Sequence, residues 1–122
     1  MTIGLKTFKY PGADGEGGRD REGGTKSFPM YDTDAVISTV QVFPKGTGNK
    51  LHIHPAQDGY WLVLSGRAKF LGDGEVLLAD LGKHEGAFGP HGTRYHFECS
   101  SEEPLEILRV SMNLPFQKAE IA

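Results

Sequence analysis

A second cysteine is missing from this chain. Cys99 stands alone among 122 residues, so no disulfide can form within it, and a reducing, cytoplasmic setting is the expectation. A basic-then-apolar leader is absent from residues 1–10, and no apolar run is long enough to span a bilayer, so no membrane partner is expected. Clustered positive charge is lacking too. The formal net charge is -3 and the 13 Lys and Arg residues are scattered, whereas a sequence-independent grip on nucleic acid needs basic side chains gathered on one surface. No apolar pattern of helical period is sustained, except at residues 116–121, which could form a last helical turn. Nucleophile elbow, phosphate loop and dinucleotide fingerprint are all absent.

What the chain does have is glycine, proline and short β-branched runs. Its 17 glycines and 7 prolines punctuate segments such as AVISTVQVF (35–43), GYWLVL (59–64), RAKFL (67–71), EVLLA (75–79), YHFEC (95–99) and LEILRVSM (105–112). Short strands at this spacing, joined by tight turns, predict an all-β sandwich or barrel in a single domain. Gly72-Asp73-Gly74 reads as a hairpin turn. Residues 1–27 read as an N-terminal arm followed by a flexible glycine-rich loop, because 11–25 holds too little apolar side chain to offset its ordering entropy. Within that arm Ile3, Leu5, Phe8 and Tyr10 could form a short strand, on this domain or on a partner subunit. Residues 28–115 are then the barrel and 116–122 a C-terminal tail.

His52 and His54 are the chemical centre of this sequence. Side chains on a strand alternate with period two, so both imidazoles project from one face. Neutral imidazole is a ligand for Fe, Zn, Mn or Ni, and two of them with a carboxylate form a common catalytic arrangement. Two partly buried histidines that hydrogen-bond backbone or a polar ligand would give the same pattern without metal.

Gly46, five intervening residues and His52-x-His54, followed by DGYWLVLSGRAKF (58–70), resemble the first motif of the cupin family. Pro90-His91-Gly92, with Tyr95 and His96 beyond it, echoes the second. The resemblance implies a double-stranded β-helix, or jelly-roll barrel, with a divalent metal site and a central pocket for a small molecule. The family's glutamate falls on Gly59, its third histidine on Tyr95 and a motif glycine on His84. The implied metal ligands are therefore His52 and His54, with Asp58 as the carboxylate, and His96 if a β-bulge turns it inward. Gln57, Trp61, Tyr95 and Phe97 would line the pocket, with Val63 and Cys99 also facing inward. Glu85 is expected in a loop-facing salt bridge and His91 in a solvated turn. Two functions follow from the resemblance: a metal-dependent oxygenase or isomerase, or a non-catalytic small-molecule-binding protein without metal. It also implies a homodimer.

Overall fold

The structure is a computed structural model, and it describes residues 4–114. Those residues hold ten strands, two short 3-10 turns and no α-helix: β1 (Arg19–Asp20), β2 (Lys26–Asp32), β3 (Val36–Phe43), β4 (His52–Ile53), β5 (Gln57–Ser65), β6 (Ala68–Leu71), β7 (Leu77–Leu81), β8 (Gly86–Gly89), β9 (Arg94–Cys99) and β10 (Leu105–Asn113). They form a six-stranded sheet, in the order β1-β2-β3-β10-β5-β8, and a four-stranded one, in the order β4-β9-β6-β7. Every pairing is antiparallel. The two sheets make the expected jelly roll, and the strands predicted from β-branched runs are present with small shifts at their ends.

The main core lies between the sheets. Phe43, Trp61, Val63, Phe70, Tyr95, Phe97, Cys99, Leu105 and Ile107 are all buried there, as period-two alternation requires of strands with one face on the core. Gly66 closes the turn between β5 and β6 at φ +79°, and a Cβ there would come within 2.5 Å of the Pro104 carbonyl oxygen. Only glycine suits both conditions. At the motif glycine replaced by histidine, His84 takes φ +70°. The backbone keeps the left-handed turn although the side chain has changed.

The N-terminal region differs from its expectation. No strand forms over residues 4–10, and Leu5 is 94% exposed; Ile3 lies outside the described residues, as does the helical turn expected at 116–121. The glycine-rich stretch contributes β1, whose Arg19 and Asp20 pair with Ser27 and Lys26, so the sheet begins ahead of residue 28. Gly18 lies so close to Phe28 that a Cβ would come within 2.7 Å of its ring, and Tyr10 meets the same ring edge-on with centroids 5.3 Å apart. Tyr10 also donates to the Glu106 carboxylate. Together with Ala13 it covers a second cluster, Phe28, Val40 and Val42, on the outer face of the six-stranded sheet. A side-chain-poor segment orders here by lending backbone to an aromatic ring it does not itself carry.

Candidate functional site

One end of the barrel gathers the polar groups. His52, on β4, pairs with Tyr95 on β9, and their rings lie 4.6 Å apart. His54 follows two residues on, so its ring meets that of His52 edge to face at 4.7 Å. The period-two reading of His-x-His is therefore realised in space. Trp61 of β5 leans on Tyr95 at 4.8 Å.

Hydrogen bonding constrains the protons on this pair. His52 Nδ1 faces the Lys50 carbonyl oxygen, which can only accept, so that nitrogen carries a proton. His54 Nε2 lies 3.1 Å from Nη2 of Arg109, which can only donate, so His54 accepts there. The two Nε2 atoms stand 3.0 Å apart. Their lone pairs would repel unless a proton or a cation lies between them.

Arg109 is the site residue that sequence reasoning missed. On the inner face of β10 it follows Leu105 and Ile107 at period two, and it pairs with Trp61 of β5 and Thr39 of β3. An arginine in phase with two fully buried aliphatics was the available signal in LEILRVSM. Among the described residues no carboxylate forms an ion pair with it, and its Nε is buried without a hydrogen-bond partner. Trp61 Nε1 is in the same condition. Thr93 joins the lining as well.

The other expected site residues divide into two groups. Gln57, Asp58, Trp61 and Tyr95 line the same pocket as His54 and Arg109. Gln57 donates to Asn113 Oδ1 at 2.7 Å. Asp58 Oδ1 accepts from both the backbone N–H and the ring Nδ1 of His91, each at 2.8 Å. These bonds hold its carboxyl below the ordinary carboxylate range. His96 and Phe97 are not brought to the pocket. No bulge interrupts β9, so alternation turns His96 to the opposite face, where Nε2 sits 3.3 Å from Glu75 Oε1. Phe97 lies deeper, 5.1 Å from the rings of Phe43 and Phe70. Away from the pocket, Glu85 makes no salt bridge within the described residues and instead accepts from the Gly82 backbone N–H at 2.7 Å.

Burial sets the protonation of the pocket. It is the main cause that lowers His54 below the ordinary 6.5, and Arg109 and then His52 add to it. Burial also pushes the Tyr95 phenol up to about 12, against the opposing pull of Arg109. His54 and Tyr95 are thus neutral at physiological pH. In the unfolded chain His54 takes up its proton near 6.5 and in the folded chain only at lower pH, so the unfolded state binds more protons in that window and stability rises with pH through it. The melting temperature is expected to fall between about pH 7 and about pH 5.5, and His54→Gln, which cannot titrate, to flatten that slope. An unchanged slope in thermal melts of the variant would refute the assignment.

A two-sheet antiparallel barrel with a histidine-lined pocket at one end defines a small jelly-roll protein of the double-stranded β-helix class. Residues 39–111, more than half of the chain, match the family model for the cupin domain, and the chain belongs to the cupin family. No protein of curated function matches it. Among solved structures it is similar to KdgF from a Halomonas species, with TM-score 0.73 and 20% identity over 88% of this chain and 95% of that one. An RmlC-like cupin from Shewanella frigidimarina superposes with TM-score 0.72 and 18% identity, over 91% and 94% of the two chains. A Klebsiella pneumoniae protein with a double-stranded β-helix domain gives 0.70 and 21%, over 80% and 84%. At these identities the likeness establishes the fold alone.

The donor set does not make the family's metal shell. Gly59 offers no side chain, and a Cβ there would find the Val110 carbonyl oxygen at 3.4 Å and Trp61 Cη2 at 3.9 Å. Tyr95 is a neutral phenol. Asp58 is engaged by His91, and His96 faces away. Among the described residues no three His, Cys, Asp or Glu side chains are grouped to hold an ion, and the permanent cation of Arg109 stands beside one of the two remaining imidazoles.

Proposed function

We propose that this cupin is a small-molecule-binding protein whose pocket is built around Arg109 instead of a metal ion, and that its ligand carries a negative charge. The observation that carries this reading is the Arg109 guanidinium itself: partly buried, with no described carboxylate as partner, and with its enclosed Nε unpaired. A charge drawn partly out of water in this way costs free energy unless something pairs with it. An anionic ligand supplies the partner, and the Gln57 amide N–H and the Tyr95 hydroxyl can donate to it without competing for its charge. The Asp58 carboxylate, which would repel an anion, is held by His91. Binding of a small carboxylate is expected to survive treatment with a chelator, and elemental analysis to find no stoichiometric metal. Binding abolished by chelator and restored by one equivalent of Fe, Zn, Mn or Ni would overturn the proposal.

That outcome would favour a second reading, in which His52 and His54 alone hold one divalent ion in an oxygenase or isomerase. Its support is the 3.0 Å between the two Nε2 atoms, a separation suited to neighbouring ligands at about 2.1 Å from a shared metal. A homodimer and a cytoplasmic setting belong to the proposal too; a monomeric mass in light scattering would refute the first. Among the described residues no helix is long and apolar enough to cross a membrane.

A further inference from the structure

The polar pocket has an apolar neighbour. β7 is the last strand of the four-stranded sheet and β8 the last strand of the six-stranded one, and no pairing joins them, so the two sheets part at this side of the barrel. The gap is a cavity of about 180 Å³ lined by Phe70, Leu78, Ala79, Ala87 and Phe88. Its remaining lining, Trp61, Gly89, Thr93 and Tyr95, is shared with the polar pocket around Arg109. The two spaces therefore adjoin at Trp61, Gly89, Thr93 and Tyr95.

Their sizes and chemistries differ. The polar pocket offers only about 10 Å³, room for roughly one water or one small polar group. The apolar chamber exceeds the roughly 150 Å³ that suffices to bind benzene in an engineered protein cavity. At its mouth Leu78 is 51% and Phe88 61% exposed. Two apolar side chains held open at the rim of an apolar hollow cost solvation that an apolar ligand would relieve. A ligand of small head and larger body fits both spaces, whereas a polyhydroxylated or multiply charged one fits neither.

We infer that the ligand is an amphipathic monocarboxylate, its carboxylate toward Arg109 and an apolar body the size of a single six-membered ring between β7 and β8, the two joined where the spaces adjoin at Trp61 and Tyr95. This rests on the reading of Arg109 as the pocket's cation. Gly89 supports the placement: a Cβ there would meet the Trp61 ring at 3.0 Å, so a side chain at this position would intrude where the two spaces adjoin. The alcohol of the same shape would leave Arg109 without a counter-charge, and acetate would leave the chamber unfilled.

The test is calorimetric titration of the intact protein with acetate, phenylacetate and 2-phenylethanol, repeated with Leu78→Asp. Phenylacetate is expected to bind at least about 30-fold more tightly than either of the others, on the scale set by burying a ring and pairing a charge. In Leu78→Asp, an exposed position whose replacement leaves the core intact, phenylacetate is expected to lose about tenfold while acetate is little changed. Phenylacetate no tighter than acetate would overturn the apolar chamber and leave the anion reading standing. If 2-phenylethanol matches phenylacetate, the anion reading itself falls, and the inference with it. Binding of none of the three would overturn both.

Discussion

Arg109→Met is expected to weaken binding of a small carboxylate by at least about 30-fold, the scale of removing one partner from a buried, hydrogen-bonded charge pair. Methionine keeps the length and most of the packing of the arginine stem, so the loss reports the guanidinium and not a hole in the barrel. Arg109→Lys should recover only part of the affinity, because an ammonium keeps the charge but not the planar fork that meets a carboxylate with two parallel bonds. Stability should move the other way. A partly buried guanidinium whose enclosed Nε has no partner is a liability to the ligand-free fold, so Arg109→Met is expected to melt at the same temperature as the parent or higher. A third readout separates a site role from a scaffold role. Arg109 is the second cause of the lowered His54, so its removal should let the imidazole titrate closer to 6.5 in an NMR titration, with burial still holding it below. A variant that binds carboxylates as the parent does would sink the proposed function.

The sequence made the barrel legible because its evidence is distributed. Strands β3, β5, β6, β9 and β10 each carry a β-branched or aromatic run with a period-two core face, and Phe43, Val63, Phe70, Phe97 and Ile107 are buried where that alternation puts them. β2 was not foreseen, because Pro29 interrupts it; the register shift between Pro29 and Tyr31 is how the sheet accommodates a residue with no N–H to donate. Order at Gly18 and β1 escaped for another reason. Weighing a segment by its own apolar side chains cannot register backbone that packs against Phe28, a residue outside the segment. In the site, parity located His52, His54, Trp61 and Tyr95 correctly on inner faces and left His96 outside unless a bulge intervened. Arg109 escaped because a charged residue within a strand is ordinarily taken to face solvent, and only its phase with Leu105 and Ile107 says otherwise.

The two positions where this chain departs from the family motif make the strongest test of what the pocket has become. Gly59→Glu combined with Tyr95→His should convert it into a metal site. At Gly59 a new Cβ would find Trp61 Cη2 at 3.9 Å and Ser111 Oγ at 4.0 Å, ordinary contact, with the Val110 carbonyl oxygen at 3.4 Å as its nearest neighbour. The glutamate stem must therefore displace the Trp61 ring slightly, and the smaller imidazole at Tyr95, 4.8 Å from that ring, makes the room. Four donors would then converge, His52 and His54 among them, and the 3.0 Å between the two existing Nε2 atoms already suits neighbouring ligands of one ion. Outer-shell partners alone tune metal affinity by about 10- to 100-fold, so two direct ligands should raise affinity for Zn or Ni by more than about 100-fold over the parent. Arg109 opposes the gain, since a fixed positive charge 3.1 Å from His54 Nε2 repels the incoming ion. Adding Arg109→Met to the double variant should tighten the metal further and, in the same protein, forfeit carboxylate binding. That reciprocity is the discriminating result. If the parent takes up one equivalent of metal as tightly as the triple variant does, His52 and His54 suffice by themselves and Arg109 is not the cation this pocket is built around.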